Sequence, residues 1–191
     1  SMTTFANGNK EGSYRGWYQN GQMTINGQYV NDKKSGLWTY WTCDGIRLNM
    51  ESFSEGHLDG YTVVFNSTGI QPIAEGHMQY IAAEDRSAPV GIWRYWRDDG
   101  SRISEGNYTY FADMGGIYED GTWTYWFDNN NIWKTGSFKK GEKDGLWSYY
   151  YYTPDGELHS TERYSNGAFV ERCHYIGNIV GNEWTCTTYE Q

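Results

Sequence analysis

One pattern, written repeatedly, limits what this chain can fold into. A glycine is followed by an aromatic residue two positions on, by another five positions on, and by a turn glycine nine positions on. The opening glycines are Gly12, Gly36, Gly60, Gly91, Gly121 and Gly145. Their second-position partners are Tyr14, Trp38, Thr62, Trp93, Trp123 and Trp147; their fifth-position partners are Trp17, Trp41, Phe65, Trp96, Trp126 and Tyr150. Eight residues beyond the turn positions Gly21, Gly45, Gly100, Asn130 and Gly156 stand Tyr29, Phe53, Tyr108, Phe138 and Tyr164, with Met78 one residue later in the third copy. Self-similarity in several correlated positions marks a repeat architecture.

Each copy reads as strand, tight turn, strand, turn: a β-hairpin of about two dozen residues. An isolated hairpin is marginal in water, so the copies must stack on their neighbours. The expected fold is all-β, an elongated, twisted sheet or solenoid of consecutive antiparallel β-hairpins, in a single repeat domain over 1–191. In "GLWTYW" (36–41), period two puts Trp38 and Tyr40 on one face and Trp41 on the other unless a bulge intervenes. Leu, Ile and Val are scarce, whereas 10 Trp, 18 Tyr and 7 Phe supply the bulky apolar matter. The motif residues Gly36, Trp38, Trp41, Gly91, Trp93, Trp96, Gly121, Trp123, Trp126, Gly145 and Trp147 are therefore expected to be structural: Gly36 sets a turn and the indoles form the core. After Glu171 the phase is lost, and 171–191 is expected to be a C-terminal cap.

These residues carry a resemblance. The pattern GxWxYW, turn, EGxY, clearest in "GSFKKGEKDGLWSYYYYTPDGELHSTERYSNG" (136–167), resembles the MORN repeat, and most closely its bacterial variant of the YwqK antitoxin type. The resemblance covers residues 12 to about 170. It implies consecutive hairpins in an elongated sheet, scaffold or partner-binding roles, and, for the antitoxin type, neutralisation of a toxin protein.

Departures from the repeat single out candidate binding residues. Spacings between opening glycines are 24, 24, 31, 30 and 24 residues. The two long ones carry insertions at the same phase, over 79–90 and 109–120. Repeat-protein insertions map to loops on one face, often the binding face. These hold Glu84, Asp85, Arg86, Tyr110, Phe111, Asp113, Tyr118, Glu119 and Asp120, an acidic set with aromatic anchors suited to a basic, toxin-like protein partner. The plainer alternative is that the strands simply lengthen there.

Other signals exclude more than they assign. A net charge of −9 disfavours nucleic acid and anionic membrane, which are bound through Lys and Arg. No apolar run is long enough for a transmembrane helix or a signal peptide. A cytoplasmic protein is the expectation, with an exported one whose leader has been trimmed as the alternative. His57, His77, His159 and His174 fall at different repeat phases and are not expected to meet. Cys43, Cys173 and Cys186 lack metal-ligand spacing; buried or idle thiols are expected, with a Cys173–Cys186 link as the alternative in an oxidising compartment. No catalytic constellation, metal site or cofactor motif is read, and no enzyme activity is expected. Two other roles stay open: glycan or cell-envelope binding through exposed aromatics, and a purely structural spacer.

Overall fold

A computed structural model describes residues 1–178 and 181–188. The chain is all-β and built of consecutive antiparallel hairpins. Its contacts divide it into two compact units, 1–100 and 101–191. The first holds β1 (Met2–Ala6), β2 (Asn9–Trp17), β3 (Met23–Val30), β4 (Lys33–Trp41), β5 (Arg47–Ser54), β6 (His57–Phe65), β7 (Pro72–Ile81) and β8 (Arg86–Trp96), each paired with its neighbours in sequence order. The second holds β9 (Arg102–Phe111), β10 (Gly116–Trp126), β11 (Ile132–Lys139), β12 (Glu142–Tyr150), β13 (Leu158–Ser165), β14 (Ala168–Asn178) and β15 (Gly181–Thr188), ordered in the same way. The stretch expected as a cap thus takes the form of one more hairpin, β14–β15; residues 179–180 and 189–191 of that stretch lie outside the described residues.

The opening glycine does not set a turn. Gly36 lies inside β4 at φ 66°, a left-handed conformation that glycine adopts without a Cβ clash. The register explains its place: Gln28 pairs Ser35 while Asn26 pairs Thr39, so Gly27 alone faces Gly36, Leu37 and Trp38. This wide bulge turns Trp38 down onto the neighbouring strand. A second irregularity follows at the hairpin tip, where Tyr40 pairs Asn49 but Trp41 pairs Arg47, leaving Leu48 as the extra residue. Trp38 and Tyr40 do share a face, with the Lys34 ammonium 4.7 Å and 5.3 Å from their rings.

The bulge delivers each motif indole onto a glycine of the preceding strand. A Cβ at Gly27 would lie 2.2 Å from Cδ2 of Trp38, and Gly76, Gly106 and Gly136 stand in the same relation to Trp93, Trp123 and Trp147. Only a bare backbone admits a ring at that distance. Three of the indoles then donate from Nε1 to the carbonyl one residue beyond the glycine: Trp93 to His77 at 3.0 Å, Trp123 to Asn107 at 3.2 Å and Trp147 to Ser137 at 3.0 Å. Trp38 and Trp147 are fully buried and Trp93 and Trp123 nearly so. The core role expected of the motif indoles is met by these four. Trp41, Trp96 and Trp126, at the tips, are only half-buried.

Where the indole is missing, the glycine is missing too. Thr62 on β6 faces Glu51, and Arg172 on β14 faces Glu162. In both places the carboxylate is met by tyrosine hydroxyls and lysine instead of a ring: Tyr40 and Lys34 act on Glu51, and Tyr149 and Lys143 on Glu162.

Candidate interaction sites

The insertions lengthen strands more than they add loops. β7 and β8 have 10 and 11 residues, β9 and β10 the same, against 8 and 9 in β11 and β12. Only short turns around 82–85 and 112–115 project beyond the ladder.

The candidate residues there are largely engaged within their own units. Arg86 Nε donates to Glu84 at 2.5 Å, and the Tyr80 hydroxyl donates to Asp85 at 2.7 Å. In the second unit Lys140 reaches back from the next hairpin and donates to Asp113 at 2.7 Å, holding that carboxyl below its ordinary range. The same ammonium lies 5.0 Å from the Phe111 ring. Phe111 packs on Tyr118, their centroids 6.4 Å apart, and Tyr118 sits against Gly141. Glu119 Cα pairs with Tyr108, and its charge, after burial, helps push the Tyr125 phenol up to about 12. Tyr110 is a half-buried strand residue paired with Ile117.

Asp120 has a repeated structural role. Its Oδ1 accepts the backbone N–H of Lys140, whose φ is 53°. Asp144 does the same for Asn166 and Glu11 for Asn31, at φ 46° and 48°. All three acids stand one residue before an opening glycine, so these three repeats use their own carboxylate to satisfy the strained turn of the next hairpin. Asp120 is thus a cap by repetition, whatever else it contacts.

At the other end of the same strands an aromatic patch forms that the repeat does not dictate. In the second unit the tip bulge extrudes Trp133, 43% exposed, where earlier repeats place Thr24, Leu48 and Ile73. Phe127 lies 6.1 Å from Trp133 and 5.0 Å, edge-on, from Tyr152, which is 59% exposed. A hydrogen bond to Asp128 raises the Tyr152 phenol. Asp128, Asp155 and Glu157 are exposed on the loops that carry Phe127 and Tyr152, and Tyr151 continues the patch to His159 at 4.5 Å. Asn131 fixes the loop by donating to the Thr153 and Pro154 carbonyls at 2.6 Å and 3.1 Å. Sequence reasoning missed this patch because it scored motif positions. Trp133 is an off-motif tryptophan at a tip position where earlier repeats place Thr24, Leu48 and Ile73, which was the available signal.

A third locus centres on Glu162, which is 5% exposed. The hydroxyls of Tyr149 and Tyr164 donate to Oε2 at 2.5 Å and 2.8 Å. Arg172 donates to Oε1 from Nε at 3.0 Å and also from Nη2. Burial opposes the Glu162 charge, yet the hydrogen bonds from Tyr149, Arg172 and Tyr164 and the guanidinium charge outweigh it and hold the carboxyl down to about 2. Tyr164 is pushed up to about 12 by burial and by that carboxylate. Beside this centre a hollow of about 300 Å³ is lined by Phe169, Arg172, His174 and Thr187.

Two expectations about reactive side chains are corrected. His159 and His174 do meet, with ring centroids 5.6 Å apart. The register pairs Ser160 with His174, and His159 is the residue left over at the tip bulge, so it leans toward its neighbour. Cys173 and Cys186 are not idle thiols but a disulfide, formed because they stand directly opposite each other on β14 and β15. Cys43 is free, and exposed in a turn. Glu171, Cys173 and Cys186 bring three donor atoms within 4.8 Å. With both sulfurs bonded to each other, that group offers no thiolate to a metal, and Glu171 accepts from Arg163 at 2.7 Å.

Compared with known protein families and with curated proteins, the chain matches no family model and no curated sequence.

Proposed function

We propose that this chain is a non-enzymatic protein-binding module that captures a basic protein, in the antitoxin or immunity manner implied by its resemblance to YwqK-type MORN repeats. The contact is made at the hairpin-tip edge of the 101–191 unit, around Trp133 and Tyr152. One observation carries this reading: the Trp133 and Tyr152 rings stand open to solvent on the hairpin tips that carry exposed Asp128, Asp155 and Glu157, whereas the motif indoles Trp38, Trp93, Trp123 and Trp147 are buried. Aromatic anchors supply affinity at protein interfaces, and surrounding charge steers encounter with an oppositely charged partner. The chain's net charge of −9 adds to the attraction.

The ridge at 79–90 and 109–120 has a smaller part in this reading, because Asp113, Asp120 and Glu84 already satisfy neighbours. Exposed Asp85, which accepts from the Tyr80 hydroxyl, is its best remaining contact. The test is calorimetric titration with the purified product of the reading frame adjoining this one. Binding that weakens at least tenfold in Trp133→Ala, and falls with added salt, supports the reading. Binding indifferent to Trp133 and to Asp85→Ala refutes it.

Exposed Trp133 also favours a second reading, in which a glycan stacks on the patch. Titration with neutral oligosaccharides or choline separates the two: a saturable change in tryptophan emission belongs to the glycan reading, and none is expected for a protein binder.

A further inference from the structure

The repeat register shows where an indole has been withdrawn, and the hollow beside Glu162 lies there. Thr161 pairs Cys173 and Glu162 pairs Arg172, as Thr135 pairs Ser148 with Gly136 under Trp147 in the hairpin before. Arg172 therefore occupies the position of a motif tryptophan, and Glu162 that of its glycine. Among the described residues no indole takes the place of the ring found elsewhere, and Phe169, His174 and Thr187 line the hollow with Arg172.

We propose that this vacated slot binds a small carboxylate carried on a ring, of monosaccharide size. This goes beyond the protein-binding role and is independent of it. Charge selects the ligand's sign. Among the described residues Arg172, with Lys143 at 3.6 Å from Glu162, pairs with one carboxylate, Glu162, and nearby Glu171 is taken by Arg163. The locus is cationic in a chain whose net charge is −9.

Geometry selects the rest. Glu162 uses Nε and Nη2 of Arg172 and fixes the guanidinium, whose fork carries five N–H donors in all. The side chain is 48% exposed, so donors beyond those two remain for a second carboxylate. The His174 ring offers a face for the apolar side of a ligand, beside the Phe169 ring from which the Arg172 guanidinium lies 5.9 Å, and Thr187 and the imidazole offer hydroxyl partners. A volume of about 300 Å³ stands at the small end of ligand sites. It suits one ring rather than a chain of them.

The test is titration of the intact protein with glucuronate, galacturonate and benzoate, with glucose as the neutral control, followed through the His174 imidazole resonances. A saturable shift with at least one carboxylate and none with glucose is expected, and comparing the uronates with benzoate tells a sugar acid from an aryl acid. Arg172→Lys keeps the charge but loses the fork, and should weaken binding by roughly tenfold. Thr187→Trp should abolish it: the position is exposed, and the Glu162–Arg172 pair stays intact, so folding is preserved. Equal binding of glucose, undiminished binding in Thr187→Trp, or no saturable shift with any carboxylate at millimolar concentration overturns the proposal.

Discussion

Gly136→Ala tests the packing of an indole on bare backbone as the device that holds these hairpins together. The added Cβ would lie 2.2 Å from Cδ2, 2.4 Å from Cγ and 2.5 Å from Cε2 of Trp147. Ordinary carbon contacts begin near roughly 3.5 Å, so the ring must retreat by more than an ångström. Strand neighbours pin it: Phe138 lies 4.9 Å away edge-on, and Nε1 donates to Ser137 at 3.0 Å. A retreat therefore breaks the hydrogen bond and uncovers a side chain that is 0% exposed. A Trp buries roughly 200 Å², worth about 5 kcal/mol at about 25 cal/mol per Å², and large-to-small replacements of such rings cost about 3–5 kcal/mol. One methyl group should thus cost nearly what Trp147→Ala costs, about 3–5 kcal/mol.

The sign reverses once the ring is gone. In a Trp147→Ala background the same Gly136→Ala change meets no ring and should stabilise by about 0.5–1 kcal/mol, because alanine loses less backbone entropy on folding. Native-state hydrogen exchange of β11 and β12 amides across the four proteins gives the coupling without requiring both units to unfold together. Additive effects, or a cost below about 1 kcal/mol for Gly136→Ala alone, would refute the reasoning.

The remaining predictions concern the acids and the disulfide. Asp120→Ala leaves the Lys140 N–H without its acceptor and should cost about 1–2 kcal/mol in denaturant titration; an effect on partner affinity with none on stability would make Asp120 a binding residue instead. The folded-state pKa of Glu162 is depressed from an ordinary 4.5 to about 2, so its contribution is full above about 4.5 and is lost as pH falls toward about 2. The stability gap between wild type and Glu162→Gln should accordingly close across that window, and a gap unchanged down to pH 2 would contradict the assignment. Reducing the Cys173–Cys186 bond, which spans 13 residues, should cost about 3 kcal/mol, read as faster amide exchange in β14 and β15 with β11 and β12 unaffected.

The hairpin repeat was legible because its signal sits in side chains that recur in phase: Gly36, Trp38 and Gly45 mark strand, core and tip, and the copies reinforce one another. The role of Gly36 was not, since a positive φ serves a turn or a bulge equally well, and only the pairing of Gln28 with Ser35 and Asn26 with Thr39 decides between them. The partner glycine was readable in hindsight. Gly76, Gly106 and Gly136 accompany tryptophans, whereas Glu51 and Glu162 accompany Thr62 and Arg172, a covariation within one chain. At the acidic insertions sequence shows charge but not its partner: Lys140, which pairs with Asp113, belongs to a different hairpin. His159 met His174, and Cys173 met Cys186, through register alone, which the loss of repeat phase after Glu171 concealed.

A single spectrum tests the division of labour between buried and exposed tryptophans on which the functional proposal stands. The ten indole N–H resonances, assigned by substitution, are followed while the basic partner protein is added. The account predicts that Trp133 shifts or broadens first, while Trp38, Trp93, Trp123 and Trp147 keep their positions and their slow exchange with solvent. Early perturbation of those four, with Trp133 unchanged, would contradict it.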